Sequence, residues 1–267
     1  MSQERTVLYV LITGTTSGLG REFARLFAQN GYNIVAVARN EVLLQQQKQE
    51  LERQFGIEMV YVVKDLSAEN SAQEVYDEIK HKGINIDILI NNAGFGSFGR
   101  YIDVDWQRQK GLASVNMLAV MQLSYLFGKD MDRRGEGKIV NIASIASFQA
   151  GPYMAMYYAS KAFVRSFSEA LHEEMKSSGV SVTAICPGPV ATNFERNANM
   201  INSAMFTRLR VYTPEVVAAR SYRAIMNNKA VYVVGWPNKL LVFLTRFCSL
   251  KFSRVLASKI NLGGGRK

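Results

Sequence analysis

Three side chains in the middle of the chain have types and spacing suited to moving a proton. Tyr157 and Lys161 stand four residues apart, and Ser144 lies thirteen residues before the tyrosine. On a helix an i, i+4 pair shares one face, so the ammonium sits beside the phenol. A cationic neighbour favours the phenolate, and bringing a phenol from about 10 toward 7 takes roughly 4 kcal/mol of differential stabilisation. The pair alone specifies little, because Tyr76 with Lys80 and Tyr125 with Lys129 repeat it. Thirteen residues before those two tyrosines stand Val63 and Leu112, which have no hydroxyl to offer a substrate oxygen. Tyr153 and Tyr158 lack a lysine at i+4 and read as pocket wall or core.

A second constellation binds rather than reacts. Thr13 is followed by Gly14, Thr15, Thr16, Ser17, Gly18, Leu19 and Gly20, after a β-branched run and before a helix-like stretch from Arg21 to Asn30. Glycines there let the backbone turn tightly and approach a pyrophosphate, which rests on the helix's first N–H groups and positive dipole end. Gly94, Gly96 and Gly99 repeat the glycine spacing, but Phe95, Phe98 and Tyr101 crowd that turn and no helix signal follows at once. It reads as a loop lining a cofactor or substrate cleft. The second strand ends in Ala38, Arg39 and Asn40, with no acid for a ribose 2′-hydroxyl. Arg39 suits a 2′-phosphate through charge-assisted hydrogen bonds, which favours NADP(H) over NAD(H). The competing reading leaves Arg39 solvated and makes Glu41 the ribose ligand, although Asn40 before Glu41 also spells a helix cap and first turn.

These groups need elements to hold them. Short β-branched runs alternate with longer amphipathic stretches, with strands expected at 7–12, 33–38, 58–63, 86–91, 138–143, 180–186 and 231–234. Most are apolar nearly throughout, as parallel strands covered on both faces must be. The pattern predicts an α/β, Rossmann-type doubly wound fold whose mostly seven-stranded parallel sheet carries helices on both faces. Residues 1–235 read as one nucleotide-binding catalytic domain, and 236–267 as a basic, apolar C-terminal tail that either belongs to it or extends from it.

Composition excludes several other classes. The chain has 267 residues, 48% hydrophobic and 20% charged, which suits a cored globular domain rather than disorder. Cys186 and Cys248 are too few for a disulfide scaffold and fit a reducing cytosol. His81 and His172 lie at no ligand spacing from a cysteine, so no metal site is expected. With no run of about 18 uninterrupted apolar residues, no spanning helix is expected. The net charge of +10 is confined to Val216–Lys267, which holds ten Lys/Arg and no Asp or Glu. Without a zinc-finger, helix-turn-helix or RNP pattern, that charge does not point to nucleic acid.

With these residues in order, the chain resembles the short-chain dehydrogenase/reductase family from Thr6 to about Val234. The match rests on Thr13–Gly20, Asp65 with Leu66, Asn91 with Asn92, Ala93 and Gly94, then Asn116, Ser144, Tyr157 with Lys161, and Pro187 with Gly188. The resemblance implies hydride transfer between a nicotinamide and a carbonyl or alcohol carbon. It casts Tyr157 as the acid/base, Ser144 as the binder of the substrate oxygen and Lys161 as the holder of the nicotinamide ribose that lowers the Tyr157 pKa. Asn116 would keep a water in a proton relay, Asp65 would bond the adenine edge, and Asn91 would brace the central strand. Leu66, Asn92, Ala93, Gly94, Pro187, Gly188, Val190 and Thr192 would line the cofactor, with Thr192 on its carboxamide side. A homodimer or homotetramer is the expected assembly. A non-catalytic NADP-binding sensor or scaffold is the rival, against which the intact tetrad argues.

The loops 95–101, 148–153 and 193–212 carry Phe95, Phe98, Phe148, Tyr153, Met154, Phe194, Met200, Met205 and Phe206 in or beside them. Such a lining suggests a small apolar carbonyl or alcohol substrate, or else lid packing or a subunit contact. In the tail, Leu, Phe and Val alternate with single Lys and Arg, and at 100° per residue they form no clean apolar stripe. Two readings stay open: the apolar residues pack on a substrate lid or partner subunit, or the tail touches an anionic membrane. A cytoplasmic enzyme, membrane-peripheral at most, is expected.

Overall fold

The computed structural model describes residues 7–192 and 210–262. Seven strands form one parallel sheet: β1 (Tyr9–Thr13), β2 (Asn33–Ala38), β3 (Met59–Val63), β4 (Ile88–Asn91), β5 (Gly137–Ile142), β6 (Val180–Cys186) and β7 (Val231–Val233). Their order is β3-β2-β1-β4-β5-β6-β7. The order reverses between β1 and β4, and in such sheets the crevice beyond the strands' carboxyl ends at that switch is where ligands bind.

The helices are α1 (Gly18–Gln29), α2 (Glu41–Phe55), α3 (Ser71–His81), α4 (Trp106–Ala113), α5 (Ala119–Arg134), α6 (Ala155–Met175), α7 (Pro214–Met226), α8 (Trp236–Thr245) and α9 (Leu250–Leu262). Because β2 and β6 are buried along their whole length, apolar side chains must meet helices on both faces. Phe23, Phe27, Ile34, Ile90, Val217 and Ile225 share one core; Leu11, Val35, Leu89, Leu123, Phe127 and Val182 share the other. A buried polar ladder runs between the strands: Asn91 donates to Ser124 (3.1 Å) and Asn141 (2.8 Å), and Asn141 donates to Ser168 (2.9 Å). This ties β4, β5, α5 and α6 together beside the switch point.

The expected strands recur within two residues at each end, and the seven-stranded doubly wound sheet is as expected. One expectation needs correction. From Trp106 to Arg134 the chain is a continuous 29-residue helix, α4 and α5 joined by a π turn over Ser114–Leu118. A window of it reaches a mean hydropathy of 1.3, so by length and composition it is able to cross a membrane. Scattered polar residues hid this from a search for unbroken apolar runs. Half of that window is buried inside the protein, and the helix turns Leu112, Val115, Leu123, Phe127 and Met131 into the core, which makes it a core helix here.

Candidate active site

A cleft of about 1100 Å³ opens over the carboxyl ends of the strands. At one end lies the turn between β1 and α1. Gly14 has φ +74°, a region glycine enters without a Cβ clash. A Cβ at Gly20 would collide with the Gly14 carbonyl oxygen and stand 2.5 Å from Asn92 Nδ2. That closeness lets Asn92 donate to the carbonyls of Thr13 (2.9 Å) and Gly14 (3.2 Å), locking the turn to the end of β4. Gly14, Thr16, Ser17, Gly18 and Leu19 reach the wall of the cleft. Thr15 is buried, its carbonyl accepting from Gln47 (3.1 Å), and Gly20 is packed beneath.

These residues fit a dinucleotide. Ser17 precedes α1 without a side-chain capping bond, and no acid stands in the helix's first turn. Its leading N–H groups are thus available to an anion. At the far side Arg39, Asn40, Lys64 and Asp65 line the cleft. Arg39 is exposed and approaches Asp65 at 3.8 Å. Burial works against the Asp65 carboxylate, but hydrogen bonds from Ser67 and the Arg39 guanidinium outweigh it and hold it below the usual range. Asn40 caps α2 by accepting from the Leu43 N–H (3.0 Å), and Glu41 opens that helix. Leu66, Asn92, Ala93, Gly94, Pro187, Gly188, Val190 and Thr192 complete this wall.

Ser144, Tyr157 and Lys161 meet in the middle of the same cleft. Ser144 ends the segment after β5, its Oγ accepting from the Ala146 N–H (3.1 Å) and donating to the Pro187 carbonyl (3.4 Å). Tyr157 and Lys161 lie in the first two turns of α6 and on one face, the ammonium 5.9 Å from the ring centroid. Contrary to the expected lowering, burial pushes the Tyr157 phenol up to about 12, while a hydrogen bond with Ser144 pulls the other way. Lys161 Nζ donates to the Ile142 carbonyl (2.7 Å), and burial brings its own pKa down to about 8. By itself the chain therefore keeps Tyr157 in its proton-donating form.

Asn116 is buried in the π turn and does not reach the wall. Its Oδ1 accepts from the Phe95 N–H (3.1 Å), and its Nδ2 donates to the Phe95 carbonyl (3.0 Å) and Ser160 Oγ (3.1 Å). Both amide hydrogens are used in bracing the loop after β4 against α6. A Cβ on Gly94 would come within 3.0 Å of Asn116 Oδ1 and 3.5 Å of Lys161 Nζ, which puts both directly behind that glycine.

Of the aromatic and methionine residues expected around the substrate, Phe95, Phe148 and Met154 line the cleft, and Phe98 and Tyr153 pack on each other behind it. Phe194, Met200, Met205 and Phe206 lie outside the described residues. The sequence reading did not anticipate Lys64 or Arg108 on the wall; Tyr158, read as pocket wall or core, lines it, and α8 and α9 supply the lid contact that was one of the two readings open for the tail. Leu241, Leu244, Phe252, Leu256 and Ile260 roof the catalytic end. Polar contacts hold the roof. Tyr158 Oη donates to Asn261 Oδ1 (3.1 Å), Asn261 Nδ2 donates to the Pro152 carbonyl (2.8 Å), and Ser253 Oγ donates to Gln149 (3.0 Å).

Comparison with known proteins agrees with this geometry. The family described as short chain dehydrogenase matches residues 8–202. The very-long-chain 3-oxoacyl-CoA reductase of Bos taurus is 34% identical over 195 residues, 70% of this chain and 61% of that protein. The chain thus spans under two thirds of that relative's length. A short-chain dehydrogenase of Sphingobium yanoikuyae, solved in complex with NADPH, superimposes with a TM-score of 0.81 at 26% identity, covering 90% of this chain and 94% of that one. The bulky-bulky ketone specific alcohol dehydrogenase of Comamonas testosteroni gives 0.76 at 26% identity over 90% and 92%.

Proposed function

From the premise that this chain belongs to the short-chain dehydrogenase/reductase family of nucleotide-binding oxidoreductases that act on CH–OH and C=O groups, we propose that it is an NADP(H)-dependent carbonyl reductase of large apolar ketones or aldehydes. The observation that carries the reading is the convergence of Ser144, Tyr157 and Lys161 on a cleft continuous with the phosphate-binding turn. Similar proteins support it: a short-chain dehydrogenase solved in complex with NADPH, a bulky-bulky ketone specific alcohol dehydrogenase and a very-long-chain 3-oxoacyl-CoA reductase.

When bound, the reduced nicotinamide supplies the hydride. The residues do the rest. Gly14–Gly20 and the start of α1 receive the pyrophosphate, and Arg39, with Lys64 beside it, neutralises a 2′-phosphate. Ser144 Oγ and Tyr157 Oη flank the substrate oxygen and orient the carbonyl. As negative charge grows on that oxygen, the phenol gives up its proton to it, and Lys161, on the same face of α6, is placed to hold the nicotinamide ribose. The apolar roof excludes water from the reacting carbon.

A panel of aliphatic, aromatic and steroidal ketones and 3-oxoacyl thioesters, scored by loss of NADPH absorbance, tests the activity and ranks the substrates. Reduction of the larger apolar members is expected; no turnover of any member, with coenzyme still bound, favours the non-catalytic sensor instead. Removing a charge-assisted contact of about 1.5 to 3 kcal/mol should cost Arg39→Ala tenfold to a hundredfold in NADPH affinity and little in NADH affinity. Equal loss for both coenzymes rejects the 2′-phosphate role.

A further inference from the structure

Helices α8 and α9 are built inside out. On α9 the residues turned to the protein are Ser253, Ala257 and Asn261, at i, i+4 and i+8, with 9%, 1% and 1% exposure. Its large apolar residues face solvent instead: Leu250 is 87% exposed, and Phe252, Val255, Leu256 and Leu262 are exposed too. On α8, Asn238 and Val242 are buried while Leu240, Phe243 and Leu244 are exposed, with Trp236 at 68% and Phe247, just beyond the helix, at 73%. Burying a Leu or Phe side chain is worth about 1.5 to 3 kcal/mol, so a fold that buries asparagines and shows water this set forgoes considerable stability. Contiguous apolar surface of this kind on a soluble protein marks a contact site.

What covers it is indicated by charge. Lys239, Arg246, Lys251, Arg254 and Lys259 are all exposed among these apolar residues, and from Val216 to the end of the chain no acid offsets them. Leucine and aromatic side chains mixed with cations, and no anion, suit an interface of acyl chains beneath negatively charged headgroups. A second copy of this face would oppose cation to cation.

We propose that α8 and α9 form a docking face for anionic lipid bilayers, and that the mouth of the cleft opens within that face. Leu244, Phe252 and Leu256 belong to both surfaces: each is exposed, and each lines the cleft. A lipid-soluble substrate then passes from the acyl region along these three side chains to Tyr157 without crossing bulk water. The delivery step rests on the reductase reading above; the docking does not.

The test is co-sedimentation of the full chain with vesicles of phosphatidylcholine alone and of phosphatidylcholine with about 30% phosphatidylglycerol. Binding is expected to the anionic vesicles, at least about tenfold weaker to the neutral ones, and lost in high salt. Trp236→Ser with Phe247→Ser, and separately Lys251→Glu with Arg254→Glu, lie outside the cleft. Each pair should cut binding about tenfold or more with circular dichroism, NADPH binding and turnover of a short water-soluble ketone unchanged. No binding by the full chain, or binding indifferent to lipid charge and to both pairs, overturns the proposal. So does a Trp236→Ser/Phe247→Ser protein whose oligomer dissociates in light scattering while the parent ignores vesicles, since the face would then belong to a second copy. Failure of the ketone assay alone, with vesicle binding intact, removes the reductase reading and leaves the docking face.

Discussion

Tyr157 and Lys161 carry opposite consequences of one burial. The phenol, up at about 12, is a full proton donor at neutral pH, so Tyr157→Phe should lower carbonyl reduction by 10²-fold or more while leaving the NADPH dissociation constant nearly unchanged, measured by single-turnover rates and fluorescence titration. Lys161, brought down to about 8 from an ordinary value near 10.5, costs the fold stability. The sign follows from proton counting. Below pH 8 native and unfolded chains both hold the proton, and the buried ammonium is a full penalty. Between 8 and about 10.5 the native state has released its proton and the unfolded state has not, so stability rises with pH across that window. The shift corresponds to about 3 kcal/mol. Lys161→Met removes that penalty but leaves the Ile142 carbonyl unpaired at a cost of about 1–3 kcal/mol, so the clean readout is the slope: the parent's stability in urea unfolding should rise between pH 8 and 10.5 relative to Lys161→Met, which should also be inactive. Parallel pH profiles for the two proteins would contradict it.

Among the elements, α9 depends most on a single residue. Asn261 supplies both the acceptor for Tyr158 and the donor for Pro152, linking the roof to α6 beside Tyr157 and to the loop before it. Asn261→Ala leaves a buried phenol and a buried carbonyl unpaired, a loss of about 1–3 kcal/mol for each. Since the sheet does not rest on α9, the expected result is local: faster proteolysis in the tail and a higher KM for bulky ketones, with global unfolding nearly unmoved. The strands were legible in the sequence because buried runs such as Ile34–Ala38 in β2 are apolar and rich in β-branched residues, and the phosphate turn because its glycines sit between a strand and a helix. The roof was legible only as one of two open readings of the tail. Its helices hide their polar and small residues and expose their large apolar ones, so a search for an apolar stripe facing a core looks on the wrong side. The i, i+4 spacing gave the shared face of Tyr157 and Lys161 but neither the burial that raises the phenol in the chain alone nor the bond from the ammonium to the Ile142 carbonyl.

At the scale of the molecule, the cleft is walled by the carboxyl ends of β1 to β6 and roofed by α8 and α9, so a ligand that fills it ties segments from Gly14 to Ile260 to one another. Such a ligand stabilises the native state by RT ln(1 + [L]/Kd). At a hundred times its dissociation constant NADPH should contribute about 2.7 kcal/mol, worth roughly 5–10 °C in Tm for a domain of this size. NADH at the same concentration, if tenfold to a hundredfold weaker through the missing contact with Arg39, should contribute only about 0.4 to 1.4 kcal/mol. A thermal melt of the full chain with each coenzyme reads this difference without a known substrate, and Arg39→Ala should bring the NADPH shift down to the NADH value. Equal shifts for the two coenzymes in the parent chain would show that Arg39 takes no part in choosing between them.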